Sequence, residues 1–516
     1  MTAASAKGPS VTLVSAPGKV LAVGGYLVLD RSHSGLVVGT DACLYAAVQT
    51  QNIDPSRETR TIPLSDHDIP ITVVSPQFES AWWTYTFNTK RNTLSQHDSA
   101  SQDTNSFVHI VLHTTLSLVN KRDPARLQTY LAAEAGSSAE HVGLKIVLAA
   151  DNDFYSQREI LEKMGLELTS KSLAKVPAMV ATGKTLRSVH KTGLGSSAAM
   201  VTSLVASILV HFGILKKNDI CPVTKQSSSK SQSLQLIHNV AQYAHCLAQG
   251  KVGSGFDVSA AVYGSHRYRR FSPSVLGTAM SSESDTAELV QITSPDNAGW
   301  DSEVVPVQVP PGLILRLADV DAGSNTPSMV KSVLRWRDTN PQQADTLWAS
   351  LDEANNRIRQ LWEELGSAHD RDNAAYCSAI NWCSLHPSAR WESKASASDN
   401  SVYACLADLA RVTLRMRELQ RELGENAGVP IEPPKQTRLL DACMAVPGVC
   451  MAAVPGAGGY DAIFCIVLSK AAGDAVERLW SSWAEMSVGP LLAKQASGGV
   501  TILDPELYPD LIAKLK

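Results

Sequence analysis

The run Lys191-Thr-Gly-Leu-Gly-Ser-Ser-Ala-Ala-Met200 carries the clearest chemical signal in the chain. Gly193 and Gly195 let backbone N–H groups approach a phosphate closely. The apolar stretch beyond them predicts a helix whose N-terminus adds partial positive charge. Ser196 and Ser197 offer hydroxyls to phosphate oxygens or to Mg²⁺, and Lys191 adds a mobile cation. An ordinary turn capping a core helix would use the same glycines, but the added hydroxyls and lysine favour phosphate. Gly193, Gly195 and Ala198 also fit the G-x-G-x-x-A dinucleotide spacing. Residues 186–192 are too polar for the buried strand that this motif follows. Ala178-x-x-x-x-Gly183-Lys184-Thr185 misses the P-loop at its first glycine.

Three further segments could do chemistry. Ser15-Ala-Pro-Gly-Lys19 predicts a rigid turn that either aims a lysine into a cleft or leaves it on the surface. Gly253-Ser-Gly-Phe-Asp257 places a carboxylate between small residues and an apolar run, where it can cap a helix or face a ligand. Val454-Pro-Gly-Ala-Gly-Gly-Tyr-Asp461 follows an apolar strand. Its Gly456, Gly458 and Gly459 suit either backbone approach to a ligand or a hairpin loop.

The elements that must position these segments mix strands and helices in both halves, which predicts an α+β protein. Residues 11–14 read as a strand. Residues 198–215 carry no formal charge, yet Thr202, Ser203, Ser207 and His211 make them a buried core helix rather than a membrane span. Apolar residues at 237, 240, 241, 244, 247 and 248 mark one face of a helix that stops at Gly250. Polar stretches 50–68, 93–106 and 225–233 read as loops. Residues 276–308 read as a polar connection between an N-terminal domain, 1–275, and a C-terminal domain, 309–516. In the second half, 313–320 reads as a strand, Thr326-Pro327 starts a helix, and 402–423 is a long helix. Residues 449–454 and 462–468 flank a glycine turn, 471–486 is a helix, and 500–503 is a last strand.

The 516 residues hold 50 acidic and 46 basic groups, a net charge of −4. That balance argues against nucleic acid as a partner. Nine scattered cysteines without a C-x-x-C pair suit reduced thiols in the cytoplasm. No signal peptide is expected from the N-terminal residues, and the final Lys-Leu-Lys is not a peroxisomal Ser-Lys-Leu address.

In order and spacing, Pro-Gly-Lys at 17–19, Gly-Leu-Gly-Ser-Ser-Ala-Ala at 193–199 and Gly-Ala-Gly-Gly-Tyr-Asp at 456–461 resemble the motifs of the GHMP kinases. Residues 15–30, 244–271 and 319–330 narrow the resemblance to the superfamily's fungal-type phosphomevalonate kinase branch. The resemblance implies two domains: an N-terminal α/β domain with a left-handed βαβ crossover and a C-terminal ferredoxin-like domain. ATP, Mg²⁺ and 5-phosphomevalonate would meet between them, in the route to isoprenoids and sterols. By the same resemblance Lys19 and Asp257 are the catalytic pair. Lys191, Gly193, Leu194, Gly195, Ser196, Ser197, Ala198 and Ala199 bind ATP, and Ser197 helps to hold Mg²⁺. Tyr26, Ser254, Gly255, Ser324 and Gly458 would lie near the acceptor. One departure stands out. Mevalonate kinases carry a Mg²⁺-binding Glu on the helix before the Ser-Gly-x-Asp motif, whereas Gln242-Tyr-Ala-His245-Cys-Leu-Ala-Gln249 has no carboxylate.

For a phosphate acceptor the attacking oxygen belongs to a largely dianionic monoester with a second pKa of about 6. Little deprotonation is needed, and joining two anions is the harder task. Cations should therefore dominate: Mg²⁺, Lys19, Lys191 and the 267–270 arginines. Arg267 and Arg269 share a face of an extended segment and are expected to grip the acceptor's phosphate, with the 324–328 turn and Lys331 as the alternative. Asp257 then orients Lys19 or the metal shell more than it accepts a proton. A mevalonate-type kinase with an alcohol acceptor and an ATP-binding sensor without activity remain the competing readings. Intact Lys19, Ser197 and Asp257 weigh against the sensor.

Overall fold

A computed structural model describes residues 11–53, 64–99, 105–127, 141–220, 231–277, 279–280, 286–320 and 326–515. Its spine is a long antiparallel pair, β1 (Val11–Val23) and β2 (Gly35–Ile53), running from Val11 opposite Gln49 to Val23 opposite Leu36. Alternation decides which face each side chain covers. Val14 and Ala16 join the main core, whereas Leu13 meets Leu511 and Leu515 on the other face. Strands β3 (Asp68–Val74), β4 (Trp82–Asn88) and β5 (Thr93–Ser99) extend the sheet through β6 (His141–Ala150), and β3 and β6 run parallel. Residues 93–99 are thus an edge strand rather than the expected loop. Their polar side chains suit a strand with one partner and water beyond it.

Helices α1 (Ser106–Arg122), α2 (Ser196–His211) and α3 (Gln232–Gln249) cover the inner face. Helix α2 is buried almost all round, which is why its sequence is apolar throughout. No helix among the described residues is long and apolar enough to cross a membrane. Ser231 caps α3 through the Leu234 N–H, and Gly250 ends it in the left-handed conformation. Only residues 231–233 of the expected 225–233 loop are described, and α3 has already begun at Gln232. A short helix, α4 (Phe256–Tyr263), then feeds β7 (His266–Arg269).

The expected connection at 276–308 is not a free linker. Helix α5 (Thr286–Thr293) packs on α1 and α3, and β8 (Glu303–Pro306) pairs with β7. The second unit opens with β9 (Ile314–Val320). Helices α6 (Thr326–Thr339), α7 (Pro341–Arg371), α8 (Asn373–Ser384), α9 (Ser401–Ala427) and α10 (Pro434–Ala445) follow. The chain then forms β10 (Val449–Ala453), β11 (Ala462–Val467), α11 (Lys470–Ser481) and β12 (Val488–Pro490). The sheet order β10-β11-β9-β12, antiparallel throughout, is the ferredoxin-like order. The helices are inserted between its first and second strands.

The chain's end does not stay with this unit. Strands β13 (Gln495–Ala496) and β14 (Thr501–Leu503) pair with β2 and β1 of the first sheet. Other ties hold the two units together. Asp319, at the end of β9, accepts from Arg158 at 3.3 Å and lies 3.1 Å from His190 Nε2, just before the 191–199 loop. Asp30 meets Arg337 of α6 at 2.8 Å.

The returning tail lies against Gly264, where an added Cβ would fall 2.1 Å from the Ser497 carbonyl oxygen. Gly264 also holds φ 77 and ψ −143, a conformation reserved for glycine. Gly264→Ala should cost about 1–3 kcal/mol, lower the thermal midpoint and expose the 495–500 segment to limited proteolysis. An unchanged midpoint and digestion pattern would show that this docking contributes nothing to stability.

Candidate active site

Strand β1 was expected to turn at Pro17-Gly18-Lys19. It instead continues through a bulge, with a register shift against β2 between Pro17 and Lys19. The bulge re-aims the lysine. Gly18 is required there, because a Cβ would lie 2.8 Å from Thr40 Oγ1 and 3.1 Å from the Leu194 carbonyl. The Lys19 N–H donates to the Leu194 carbonyl at 2.9 Å, and Nζ donates to the Gly193 carbonyl at 2.9 Å. The side chain lies across Gly195, whose missing Cβ would sit 3.0 Å from Lys19 Cε. Burial lowers the Lys19 pKa below the usual lysine value, and the carboxylates of Asp257 and Asp461 oppose that shift.

Gly193 and Gly195 take φ 79 and 82, and Gly195 is the N-cap of α2 with no side-chain cap. The first N–H groups of α2 are therefore available to an anion. This loop forms a wall between two cavities. On one side is a cleft of about 370 Å³ lined by Lys19, Gly193, Leu194, Gly195, Ser254, Gly255, Asp257 and Gly458. On the other is a cavity of about 630 Å³ lined by Lys191, Ser196 and Ser197 together with Phe78, Trp83, Phe107 and Tyr155. Ala198 and Ala199 are buried inside α2.

Asp257 lies in the first turn of α4, whose N-cap Gly255 is also left-handed and also uncapped by a side chain. Two helix N-termini thus converge on the cleft, a favourable arrangement for anions. Asp257 Oδ2 lies 3.9 Å from His245 Nε2, and that nitrogen is 3.1 Å from Ser197 Oγ. Burial lowers the His245 pKa while Asp257 raises it. The Tyr268 hydroxyl donates to the Ser254 carbonyl at 2.8 Å. Arg270 wraps the carbonyls of Val252, Gly253 and Leu29 and fixes the loop before Asp257.

The third glycine segment closes the cleft from the second unit. Gly458 packs so tightly on Ile431 that a Cβ would fall 2.2 Å from its carbonyl oxygen, so this glycine is required for packing whatever it binds. Tyr26 lines the cleft, but its hydroxyl is committed to the Ala457 carbonyl at 2.8 Å. Burial pushes its pKa up.

The expected role of Arg267 and Arg269 is corrected by their position. They do share a face of β7, but across β8 both guanidinium groups meet Glu303, Arg269 Nε at 3.0 Å from Oε2. Neither lines the cleft. The sequence could not show Glu303 arriving from a strand more than thirty residues away. Ser324 lies outside the described residues. Sequence reasoning missed Lys251, an exposed cation on the cleft wall, and the placement of His245 between Ser197 and Asp257. The only available signal was helical spacing, which sets Gln242, His245 and Gln249 on one side of α3.

Residues 405–485 match the family model for the C-terminal region of GHMP kinases. The chain is 38% identical over 504 residues to a peroxisomal phosphomevalonate kinase of Arabidopsis thaliana, covering 95% of each. It is 35% identical over 528 residues to a phosphomevalonate kinase of Aspergillus fumigatus, again covering 95% of each. The chain belongs to the phosphomevalonate kinase family. Among solved structures, a Streptococcus pneumoniae phosphomevalonate kinase in complex with phosphomevalonate and AMPPNP shares the fold. The TM-score is 0.52 at 13% identity, over 94% of this chain and 99% of that one. A Listeria innocua protein superposes with a TM-score of 0.58 at 13% identity, over 96% and 100%.

In a phosphomevalonate kinase built this way, the protonation of Lys19 should set the alkaline limb of kcat. The ammonium is lost as pH rises, below the ordinary lysine value of about 10.4, because burial lowers its pKa. Asp257 holds that pKa up, so Asp257→Asn should move the limb to lower pH. A limb that stays in place, or moves up, would remove Lys19 as the titrating group.

Proposed function

We propose that the chain transfers the γ-phosphoryl group of ATP to the phosphate of 5-phosphomevalonate, giving 5-diphosphomevalonate and ADP, on the route to isoprenoids and sterols. The observation that carries this reading is a lysine ammonium bound to a glycine-loop carbonyl and felt electrostatically by Asp257 and Asp461, where two helix N-termini without side-chain caps meet. The nucleotide's base fits the larger, aromatic-lined cavity, and its phosphates cross the 193–197 wall into the cleft. Lys191, Ser196, Ser197 and the N–H groups of residues 193–198 receive them, the Ala199 N–H being bonded to the Gly195 carbonyl.

An oxygen of the acceptor's phosphate then attacks the γ-phosphorus, and the bond to the ADP oxygen breaks. The acceptor is largely dianionic above its second pKa of about 6, so no proton has to leave it. Catalysis reduces to positioning and charge neutralisation. Lys19 offsets negative charge between the two phosphates, and Asp257 orients Lys19. Ser197 and Asp257 supply hard oxygen donors suited to Mg²⁺. No group of three or more His, Cys, Asp or Glu among the described residues could hold a metal by itself. That fits a Mg²⁺ held by one or two protein oxygens and the nucleotide's phosphates. When bound, the ion supplies neutralisation of phosphate charge. The described cysteines are all free, which fits a reducing compartment such as the cytoplasm.

With Arg267 and Arg269 engaged elsewhere, Lys251 is the cation besides Lys19 among the described residues lining the cleft. It takes over the acceptor's phosphate. Lys251→Met should raise KM for phosphomevalonate about 10- to 150-fold, the equivalent of roughly 1.5–3 kcal/mol for a charge-assisted contact, and leave KM for ATP unchanged. Equal weakening of both substrates, or none, would remove Lys251 from this role. The reading as a whole is tested by ADP release with mevalonate, phosphomevalonate and galactose offered separately. Phosphomevalonate alone should support turnover. Release with mevalonate instead would overturn the acceptor.

A further inference from the structure

Side chains from three helices meet at the wall between the two cavities. Ser197 stands in the first turn of α2, His245 near the end of α3 and Asp257 in the first turn of α4. The link among them is a single nitrogen. His245 Nε2 lies 3.1 Å from Ser197 Oγ, 3.9 Å from Asp257 Oδ2 and 3.3 Å from the side-chain nitrogen of Gln249. The ring is 2% exposed and packs against Phe107, with ring centroids 5.6 Å apart.

We propose that His245 is a positioning residue whose Nε2 holds the Ser197 hydroxyl, and keeps it apart from the Asp257 carboxylate, so that both oxygens face a divalent cation carried by the nucleotide. This rests on the phosphoryl-transfer reading above.

The face of α3 turned to the cleft carries Gln242, His245 and Gln249, two amides and an imidazole. The hard oxygens beside His245 are those of Ser197 and Asp257, while Asp461 reaches the cleft from the loop of the second unit. A serine hydroxyl has three staggered positions and nothing intrinsic to choose among them. In the first turn of a helix it also competes for nearby backbone N–H groups. Without a partner, Ser197 would turn onto the N–H groups of its own helix. That would remove its oxygen from the metal and the N–H groups from the phosphates together. His245 prevents this by offering a fixed, enclosed partner. Its ring in turn is fixed by Phe107, which lines the nucleotide's cavity. Partners of this kind behind a metal site commonly govern its affinity.

The test is Mn²⁺ binding followed by electron paramagnetic resonance, with a non-hydrolysable ATP analogue and no acceptor present. His245→Ala should weaken Mn²⁺ in the ternary complex by about 10- to 100-fold. Binding of the analogue in EDTA should be unchanged. His245→Gln, whose side-chain amide oxygen can reach the Nε2 position and accept from the Ser197 hydroxyl, should recover most of the loss. His245→Asn, one carbon shorter, should not. Wild-type Mn²⁺ affinity in the alanine variant would overturn the proposal. So would equal binding by the Gln and Asn variants, or an equal loss of metal-free analogue binding, which would make His245 a tether between helices. If the alanine variant does not fold, the Gln and Asn pair alone decides. Because no acceptor is used, failure here is distinct from failure of the acceptor assignment, which ADP release decides.

Discussion

Lys19 begins as one position in a thirteen-residue strand whose neighbours are buried, and a single bulge turns it towards the cleft. The loop at 193–195 then binds it at both ends, the Leu194 carbonyl on its backbone and the Gly193 carbonyl on its ammonium. That double attachment couples the central sheet to the glycine turn that opens α2. Neither side can move without breaking a hydrogen bond in a partly desolvated place, where an unsatisfied donor costs about 1–3 kcal/mol. The glycines at 18 and 195 exist to permit it, one to clear Thr40 and the other to let the lysine chain lie across the loop.

Around this clamp the protein gathers positive potential without gathering many cations. The uncapped N-termini of α2 and α4 point into the same region, and their N–H groups cannot be lost to titration or screened as far as exposed side chains can. Such an arrangement suits a reaction between two phosphates, where attraction must be strong locally while the whole chain stays near neutral. The carboxylates of Asp257 and Asp461 oppose the fall in the Lys19 pKa that burial causes. The second unit contributes through the 455–461 loop, seated on Ile431 and on the Tyr26 hydroxyl. The distance between the units is therefore a property of the cleft itself.

Much of this was legible because glycine is the residue that special backbone geometry selects. Gly193, Gly195, Gly255 and Gly458 stand out in the sequence, and each adopts a positive φ in the structure. Helix α2 was legible from its apolar length, and α3 from its period and Gly250. What escaped was whatever depends on a distant partner. Arg267 and Arg269 look like free cations until β8 brings Glu303 beside them. The Pro-Gly pair looks like a turn until β2 pairs through it as a bulge. Residues 495–503 follow the second unit in sequence but complete the first sheet in space. His245 could be read as the absence of a carboxylate, but not as the neighbour of Ser197.

The transfer is expected to depend on the Lys19 cation. The most direct measurement is kcat of Lys19→Met, with folding checked by circular dichroism and thermal midpoint. Removing a preorganised cation from developing charge should lower kcat by about 10²-fold or more while the protein remains folded. A folded Lys19→Met enzyme with wild-type kcat would show that the transfer does not depend on this cation.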